Sequence, residues 1–278
     1  MTPQTEAWLR QQLGPEVGLG DPLTGGVTSD VRSVHRGSEG FVLKQVSNAE
    51  WLAERPDVIE YEARVIEYLD ANSQIPVPRV IAIDPRGEQA GSPSMILSLI
   101  EAPPAGSVAD PDDILVALAE TATAIGQVEP PGWVRQFARY LDAGDAATPS
   151  WSHQPETWER GIARISETPP TTDPVFIHRD FHHWNVLWNG GVAGVVDWSQ
   201  TSIGPSAMEV AHCRMNLVVE WGIEVADRFR SICETMTGAR HHPYFDIVTL
   251  VDLLPDWRPA ERENRLLDQY LNTLLAEA

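Results

Sequence analysis

The sequence predicts an α+β protein in two parts, a β-rich first hundred residues followed by a mostly helical remainder. Three observations predict it. Short runs with the period-two alternation of strands cluster before residue 100, and long segments with the 3.6-residue helical period follow. Between them lies a Pro/Gly-rich connection, Glu101-Ala102-Pro103-Pro104-Ala105-Gly106. At 278 residues the chain is long enough for one large domain or two lobes. With 42% hydrophobic and 22% charged residues it has a globular composition, which excludes wholesale disorder and fibrous repeats.

The opening reads as a short helix, with Thr2 as its N-cap, Pro3 at the first helical position, Trp8, Leu9 and Leu13 on one face and Gly14 as its stop. Three strands are expected next, 19–24, 27–35 and 41–46, separated by Gly25-Gly26 and by the turn Arg36 to Gly40. A helix over 57–71 carries Val58, Val65, Ile66 and Leu69 on one face, and Glu62 falls on that same face. Strands over 79–84 and 94–100 complete a β-β-β-α-β-β order. Helices are expected over 110–128, where Asp110 caps, and over 154–166, 205–221, 225–237 and 260–275. Among them sits one β-type insert: Val175 to Ile177, then Asn185 to Trp188, an Asn189-Gly190-Gly191 turn, and Val192 to Trp198. The expected organisation is therefore 1–98, a hinge over 99–106, and 107–278.

Forty acidic residues against twenty basic ones give a formal charge of −20, a field that repels nucleic acid and anionic membranes. Neither is expected as a partner. The sequence has no run of 18 apolar residues, and its first residues lack a basic start and apolar stretch, so a cytoplasmic location is expected. Cys213 and Cys233 have no CxxC spacing, which argues against a disulfide framework or a cysteine metal site.

Of the twenty basic residues only Lys44 is a lysine, and it stands in the apolar run Phe41-Val42-Leu43-Lys44-Gln45-Val46. A charge there is costly without a partner, and Glu62 on the apolar face of the next helix supplies one. The second concentration of polar chemistry is His178-Arg179-Asp180-Phe181-His182-His183-Trp184-Asn185, with Asp197 twelve residues further on, followed by Trp198. A hairpin through the Asn-Gly turn would bring the strand of Asn185 beside the strand ending at Asp197, a pairing of hard oxygen donors suited to Mg²⁺. Phosphoryl transfer needs such a cation site, a lysine on the phosphates, a carboxylate to orient the attacking hydroxyl and backbone amides over the phosphates. The chain has a candidate for each.

On these residues the sequence resembles the aminoglycoside phosphotransferase family within the protein-kinase-like superfamily, over nearly its whole length. The stretches that carry the resemblance are Leu23 to Ser29, Phe41 to Val46, Ile177 to Trp188, Gly194 to Trp198, and the Gly204-Pro205 start of a helix carrying Glu209. It implies a bilobal protein-kinase-like fold and Mg²⁺-dependent transfer of a phosphoryl group from ATP or GTP to a small-molecule hydroxyl. It also implies residue roles. Asp180 orients or deprotonates the hydroxyl, and Asn185 and Asp197 hold the metal. Lys44 contacts the phosphates and is held by Glu62; Gly25, Gly26, Thr28 and Ser29 belong to the loop over the phosphates. Ser98 to Ile100 form the hinge whose backbone meets the base. The chain departs from many relatives in having His183 and Trp184 before the asparagine, and its nucleotide loop lacks GxGxxG spacing.

Two rival readings belong beside this one. His178, His182, His183 and Asp180, with His241-His242, read as a metallohydrolase cluster, although that leaves Lys44, Glu62, Asn185 and Asp197 without a role. A nucleotide-binding module that turns nothing over keeps the fold but not the reason for the four polar positions. Trp184 is the tryptophan placed to line substrate space, while Trp188 and Trp198 read as core, and the His241 pair as a solvated turn. The acidic positions Asp246, Asp252, Asp256, Glu261, Glu263 and Asp268 would attract a cationic acceptor such as an aminoglycoside. The apolar residues of the same segment suit a macrolide-like one. Resistance, primary metabolism and natural-product tailoring are all open as roles.

Overall fold

The computed structural model describes residues 2–23, 29–107, 110–141, 144–253 and 259–277. Its contacts divide the chain into two units, one of residues 1–103 with 187–200, the other of residues 104–186 with 201–278. The change of unit after Pro103 falls inside the Pro/Gly-rich connection. Residues 187–200, which the sequence places with the helical part, pack with the first unit instead.

In the first unit, helix α1 (Pro3–Leu13) begins where Thr2 Oγ1 accepts the Thr5 amide at 3.2 Å and ends at Gly14, whose φ of +96° suits glycine. Strands β1 (Gly18–Pro22), β2 (Ser29–Arg36), β3 (Glu39–Val46), β4 (Val80–Asp84) and β5 (Ser94–Ser98) form one antiparallel sheet in the order β1-β2-β3-β5-β4. Strand alternation sorts the side chains of β3. Phe41 and Leu43 join Trp8, Leu9 and Leu13 of α1 in one apolar cluster, and Gln45 reaches the same face with its amide 3.5 Å from Thr5 Oγ1. Lys44 therefore faces the other way. On that side lies α3 (Val58–Asn72), reached through the short helix α2 (Ala49–Glu54). The buried face of α3 is Val58, Ile59, Tyr61, Glu62, Ala63, Val65, Ile66 and Leu69, a stripe into which one carboxylate has been set.

The second unit holds α4 (Asp112–Gly126), α5 (Pro155–Arg164) and β6 (Pro174–Ile177). The chain then runs through β7 (Val186–Trp188) and β8 (Val192–Val195), which pair with each other, to β9 (Ser202–Pro205) and α6 (Ser206–Trp221), α7 (Ile223–Thr237), α8 (Pro243–Asp252) and α9 (Glu261–Glu277). Asp110 accepts the Asp112 amide at 2.9 Å just ahead of α4, but the N-cap position is Pro111 and not the expected Asp110. The unexpected elements are α2, α8 and β9. Strand β9 pairs antiparallel with β6, Ile177 opposite Ser202, which fixes the approach to the loop after Ile177. Helix α8 is buried all round from Tyr244 to Asp252, so its sequence lacks the polar face that gives a helix its period. Among the described residues no helix is long and apolar enough to cross a membrane.

The acidic C-terminal quarter is used internally. Arg214, 1% exposed at its side chain, contacts Asp246 at 2.7 Å and Asp227 at 2.8 Å, and Asp246 also accepts from Tyr270 at 2.8 Å. Asp252 pairs with Arg179, and Asp268 accepts from Ser152, the His153 amide and Trp158 Nε1. Glu261 pairs with Arg265 and Glu263 accepts the Ala260 amide, while Asp256 lies outside the described residues. Five of the six positions expected to draw a cationic acceptor thus have partners within the chain. His241, expected in a solvated turn, is buried at its side chain with Nε2 2.6 Å from Asp246.

Candidate functional site

Within the first unit the structure joins Lys44, Glu62 and Asp197. Lys44 Nζ donates to Glu62 Oε2 at 2.7 Å, to Glu62 Oε1 at 2.9 Å and to Asp197 Oδ1 at 2.8 Å. Burial works against the Lys44 charge and pushes the Glu62 carboxyl up, but three contacts from two carboxylates decide for an ionised lysine, held well above its ordinary range by Asp197 and Glu62. Asp197 has φ +64°, a left-handed conformation uncommon outside glycine, and Ser199 Oγ donates to its Oδ1 at 3.0 Å. Buried Trp198 holds this turn with an indole bond to Val195 O at 2.9 Å, and the segment packs against α3. Val195 N donates to Pro76 O and Trp188 N to Pro103 O. Gly194 lets β8 pass Ile100, since a Cβ there would lie 2.5 Å from the Ile100 side chain.

The other first-unit candidates are placed more loosely. Gly25, Gly26 and Thr28 lie outside the described residues. Ser29 is buried at the start of β2, opposite Val46. At the expected hinge the Ser98 amide donates to Arg79 O and the Leu99 amide to Gly40 O, while Ile100 O accepts from Ala102. The Ile100 amide makes no hydrogen bond to any described residue.

Within the second unit the structure joins Asp180 and Asn185. Arg179 anchors their loop in a left-handed conformation, φ +76°. Its amide donates to Glu209 Oε1 at 2.8 Å, its guanidinium pairs with Asp252 at 2.9 Å, and it lies over the rings of Phe137 and Tyr140 at 4.8 and 4.3 Å. Asn185 Nδ2 donates to Asp180 O at 2.8 Å and Oδ2 at 3.2 Å, and lies 3.2 Å from His182 Nε2. Asp180 Oδ1 lies 2.9 Å from His212 Nε2 and 3.6 Å from His182 Nε2. Burial alone would raise the Asp180 carboxyl, but the His212 hydrogen bond and the neighbouring imidazoles His182, His212 and His178 outweigh it and hold the group below the ordinary carboxylate range. Asp180 is an ionised carboxylate fixed on both oxygens.

His178 braces this loop as a fully buried ring whose Nδ1 accepts the Asp180 amide at 3.3 Å. His183 is buried against Trp221, ring centroids 4.7 Å apart, and burial with the nearby His182 lowers it to about 3. Of the histidines expected in a hydrolase cluster only His182 approaches Asp180 together with His212, which sequence reasoning did not single out. A histidine on a helix 32 residues beyond Asp180 leaves no spacing signal. Glu209, named only as part of its helix, is the other unforeseen group: burial pushes its carboxyl up to about 8 although it accepts the Arg179 amide. Trp198 is buried, as expected, while Trp188, also expected in the core, is half-buried; Trp184 is exposed. A cavity of about 410 Å³ lies between Phe137, Arg139, Ile165, Tyr244, Phe245 and Val248; none of the expected site residues lines it.

Comparison with known proteins shows the family. A profile of the phosphotransferase enzyme family matches residues 20–232, spanning Lys44, Glu62, Asp180, Asn185 and Asp197. The chain belongs to that family. It is thus a small-molecule kinase, and the metallohydrolase reading falls with that finding. No curated protein matches the chain in sequence. Among solved structures, a ternary complex of a thermostable mutant of aminoglycoside phosphotransferase APH(4)-Ia with ADP and hygromycin B matches at TM-score 0.71 and 17% identity, over 99% of each chain. An aminoglycoside-3'-phosphotransferase of type VIII matches at 0.63 and 18%, over 98% of this chain and 100% of that one. Spectinomycin phosphotransferase APH(9)-Ia, in complex with ADP and spectinomycin, matches at 0.60 and 12%, over 98% and 94%. These likenesses show the fold, the protein-kinase-like α+β architecture expected from the sequence.

Proposed function

We propose that this phosphotransferase moves the γ-phosphoryl group of ATP or GTP to a hydroxyl of a small molecule, with Asp180 as the group that orients and deprotonates that hydroxyl. The carrying observation is the state of Asp180: a carboxylate kept ionised by imidazoles, with its backbone and second oxygen tied to Asn185. In transfer the acceptor O–H proton passes to Asp180, the acceptor oxygen bonds to the γ-phosphorus, and the bond from that phosphorus to the bridging oxygen breaks to release the nucleoside diphosphate. Lys44 brings a fixed positive charge to the nucleotide phosphates, and Glu62 keeps its stem in place. The Ile100 amide is the hinge donor available to the base, because those of Ser98 and Leu99 are already engaged.

The donors fit Mg²⁺. Asn185 offers a carboxamide oxygen and Asp197 a carboxylate, both hard donors of the kind magnesium takes. Those two residues would hold the ion, whose chemistry is neutralisation of the phosphate charge. Two of the structural neighbours were solved with hygromycin B and with spectinomycin, respectively. A hydroxyl-rich panel of aminoglycosides, spectinomycin, macrolides, choline and amino-alcohols is therefore the test, with Mg²⁺ and either ATP or GTP, read by mass spectrometry. A phosphoryl-sized mass gain in wild type that is absent from Asp180→Ala supports the reading. The same gain in both proteins refutes the role of Asp180.

A further inference from the structure

The histidines around Asp180 do more than hold its charge. His212 projects from α6, a packed helix, and lies 2.9 Å from Asp180 Oδ1; His182 follows on the loop that buried Arg179 anchors, with Nε2 3.6 Å from the same oxygen. Each of the three side chains offers one ligand atom, and these atoms all lie within 4.8 Å of one another. Bonds of about 2.0–2.2 Å in tetrahedral zinc sites call for ligand atoms roughly 3.4 Å apart, and the two imidazole nitrogens at 2.9 and 3.6 Å from Asp180 Oδ1 bracket that spacing. Two imidazoles and a carboxylate, with a fourth position left for water or substrate, form the three-ligand set of open zinc sites. Nitrogen donors also separate this set from the all-oxygen donors that suit magnesium, since imidazole selects later transition metals.

Coordination displaces contacts already present: His182 Nε2 lies 3.2 Å from Asn185 Nδ2, which also donates to Asp180 Oδ2 at 3.2 Å. His212 Nδ1 makes no hydrogen bond among the described residues, so nothing on that side fixes the tautomer, and Nε2 is able to give up its proton. The Trp184 amide approaches His182 Nδ1 at a long 3.2 Å. Coordination through His182 Nε2 leaves a proton on Nδ1, and this contact then opens.

We propose that Asp180, His182 and His212 form a zinc site, with ligands other than the magnesium candidates Asn185 and Asp197, and that an ion bound there occupies the carboxylate which otherwise receives the acceptor's proton. Zinc is thus an inhibitor of phosphoryl transfer. The binding claim stands on the cluster alone; the inhibitory claim rests on the function proposed for Asp180.

The test uses the full chain, freed of metal by chelation, with no nucleotide or acceptor. Calorimetry with Zn²⁺ is expected to show one ion per chain, with affinity lowered more than about 100-fold in His212→Ala and in His182→Ala, since even residues behind the ligands carry 10–100-fold effects. Cys213→Ser and Cys233→Ser are expected to bind as wild type does, both thiols being buried. Co²⁺ in the wild-type protein gives a second reading that needs no variant: intense visible bands mark a four-coordinate site, faint ones an octahedral ion. Failure of the wild type to bind zinc, undiminished binding by both folded histidine variants, or a faint cobalt spectrum overturns the proposal. Zinc that binds as expected yet leaves phosphoryl transfer unchanged, at fixed free metal, refutes the inhibitory claim and the role of Asp180 without touching the binding site.

Discussion

The Lys44 and Asp180 clusters solve opposite electrostatic problems. At Lys44 one ammonium sits between two carboxylates, on a strand and a helix whose apolar packing leaves its partners little freedom. At Asp180 one carboxylate sits among imidazoles, on a loop held by a left-handed arginine. The first arrangement is a fixed charge and suits orientation of phosphates. The second places imidazoles around a carboxylate oxygen, and suits proton transfer.

The comparison breaks most readily at its most buried charge. Lys44→Ala leaves the Glu62 carboxylate without its partner in an apolar face, and the expected loss is about 3–5 kcal/mol of folding stability. Chemical denaturation measures it. Lys44→Met combined with Glu62→Leu should recover most of that loss, and a double variant as unstable as the single one would show that packing, not charge, dominates there.

Glu209 sharpens the other half. Burial raises its carboxyl from the ordinary range to about 8, so the folded state holds this proton more firmly than the unfolded chain does. The stability it contributes is fully present below about pH 4.5 and is lost as pH rises through 8. Thermal unfolding across that window should show a downward trend that Glu209→Gln, neutral at every pH, flattens. An unchanged slope would mean that Glu209 ionises normally against the Arg179 amide.

The smallest effect belongs to Ser199. Its hydroxyl adds one neutral donor to an Asp197 that already has Lys44, and Ser199→Ala should cost about 0.5–1.5 kcal/mol in denaturation experiments. A loss as large as that of Lys44→Ala would reassign what holds Asp197.

Much of this was legible beforehand for a physical reason. A lone lysine in an apolar strand and a glutamate on an apolar helix face violate the expected pattern, and two violations that cancel point to each other. Residues 178–185 were legible because their chemistry is compressed into eight consecutive positions. His212 was not, since its meaning lies in a distance across the fold. Helix α8 was hidden because burial on every side removes the amphipathic period, although Pro243 at its first turn was a start signal. The acidic C-terminal residues misled for a related reason: Asp246, Asp252 and Asp268 look like surface charge in the sequence, and only the fold shows the buried groups that they serve. The 187–200 segment changed units because Trp198 and the Val195 amide tie it to the sheet side of the chain.

The central claim is that Asp180 acts on the acceptor's proton and not on the nucleotide. Nucleotide binding by calorimetry and phosphoryl transfer by mass spectrometry, measured on the same preparations of wild type and Asp180→Asn, test it most directly. The account predicts unchanged nucleotide affinity with transfer lowered by about 100-fold or more. Transfer close to wild type, or loss of nucleotide binding together with transfer, would contradict it.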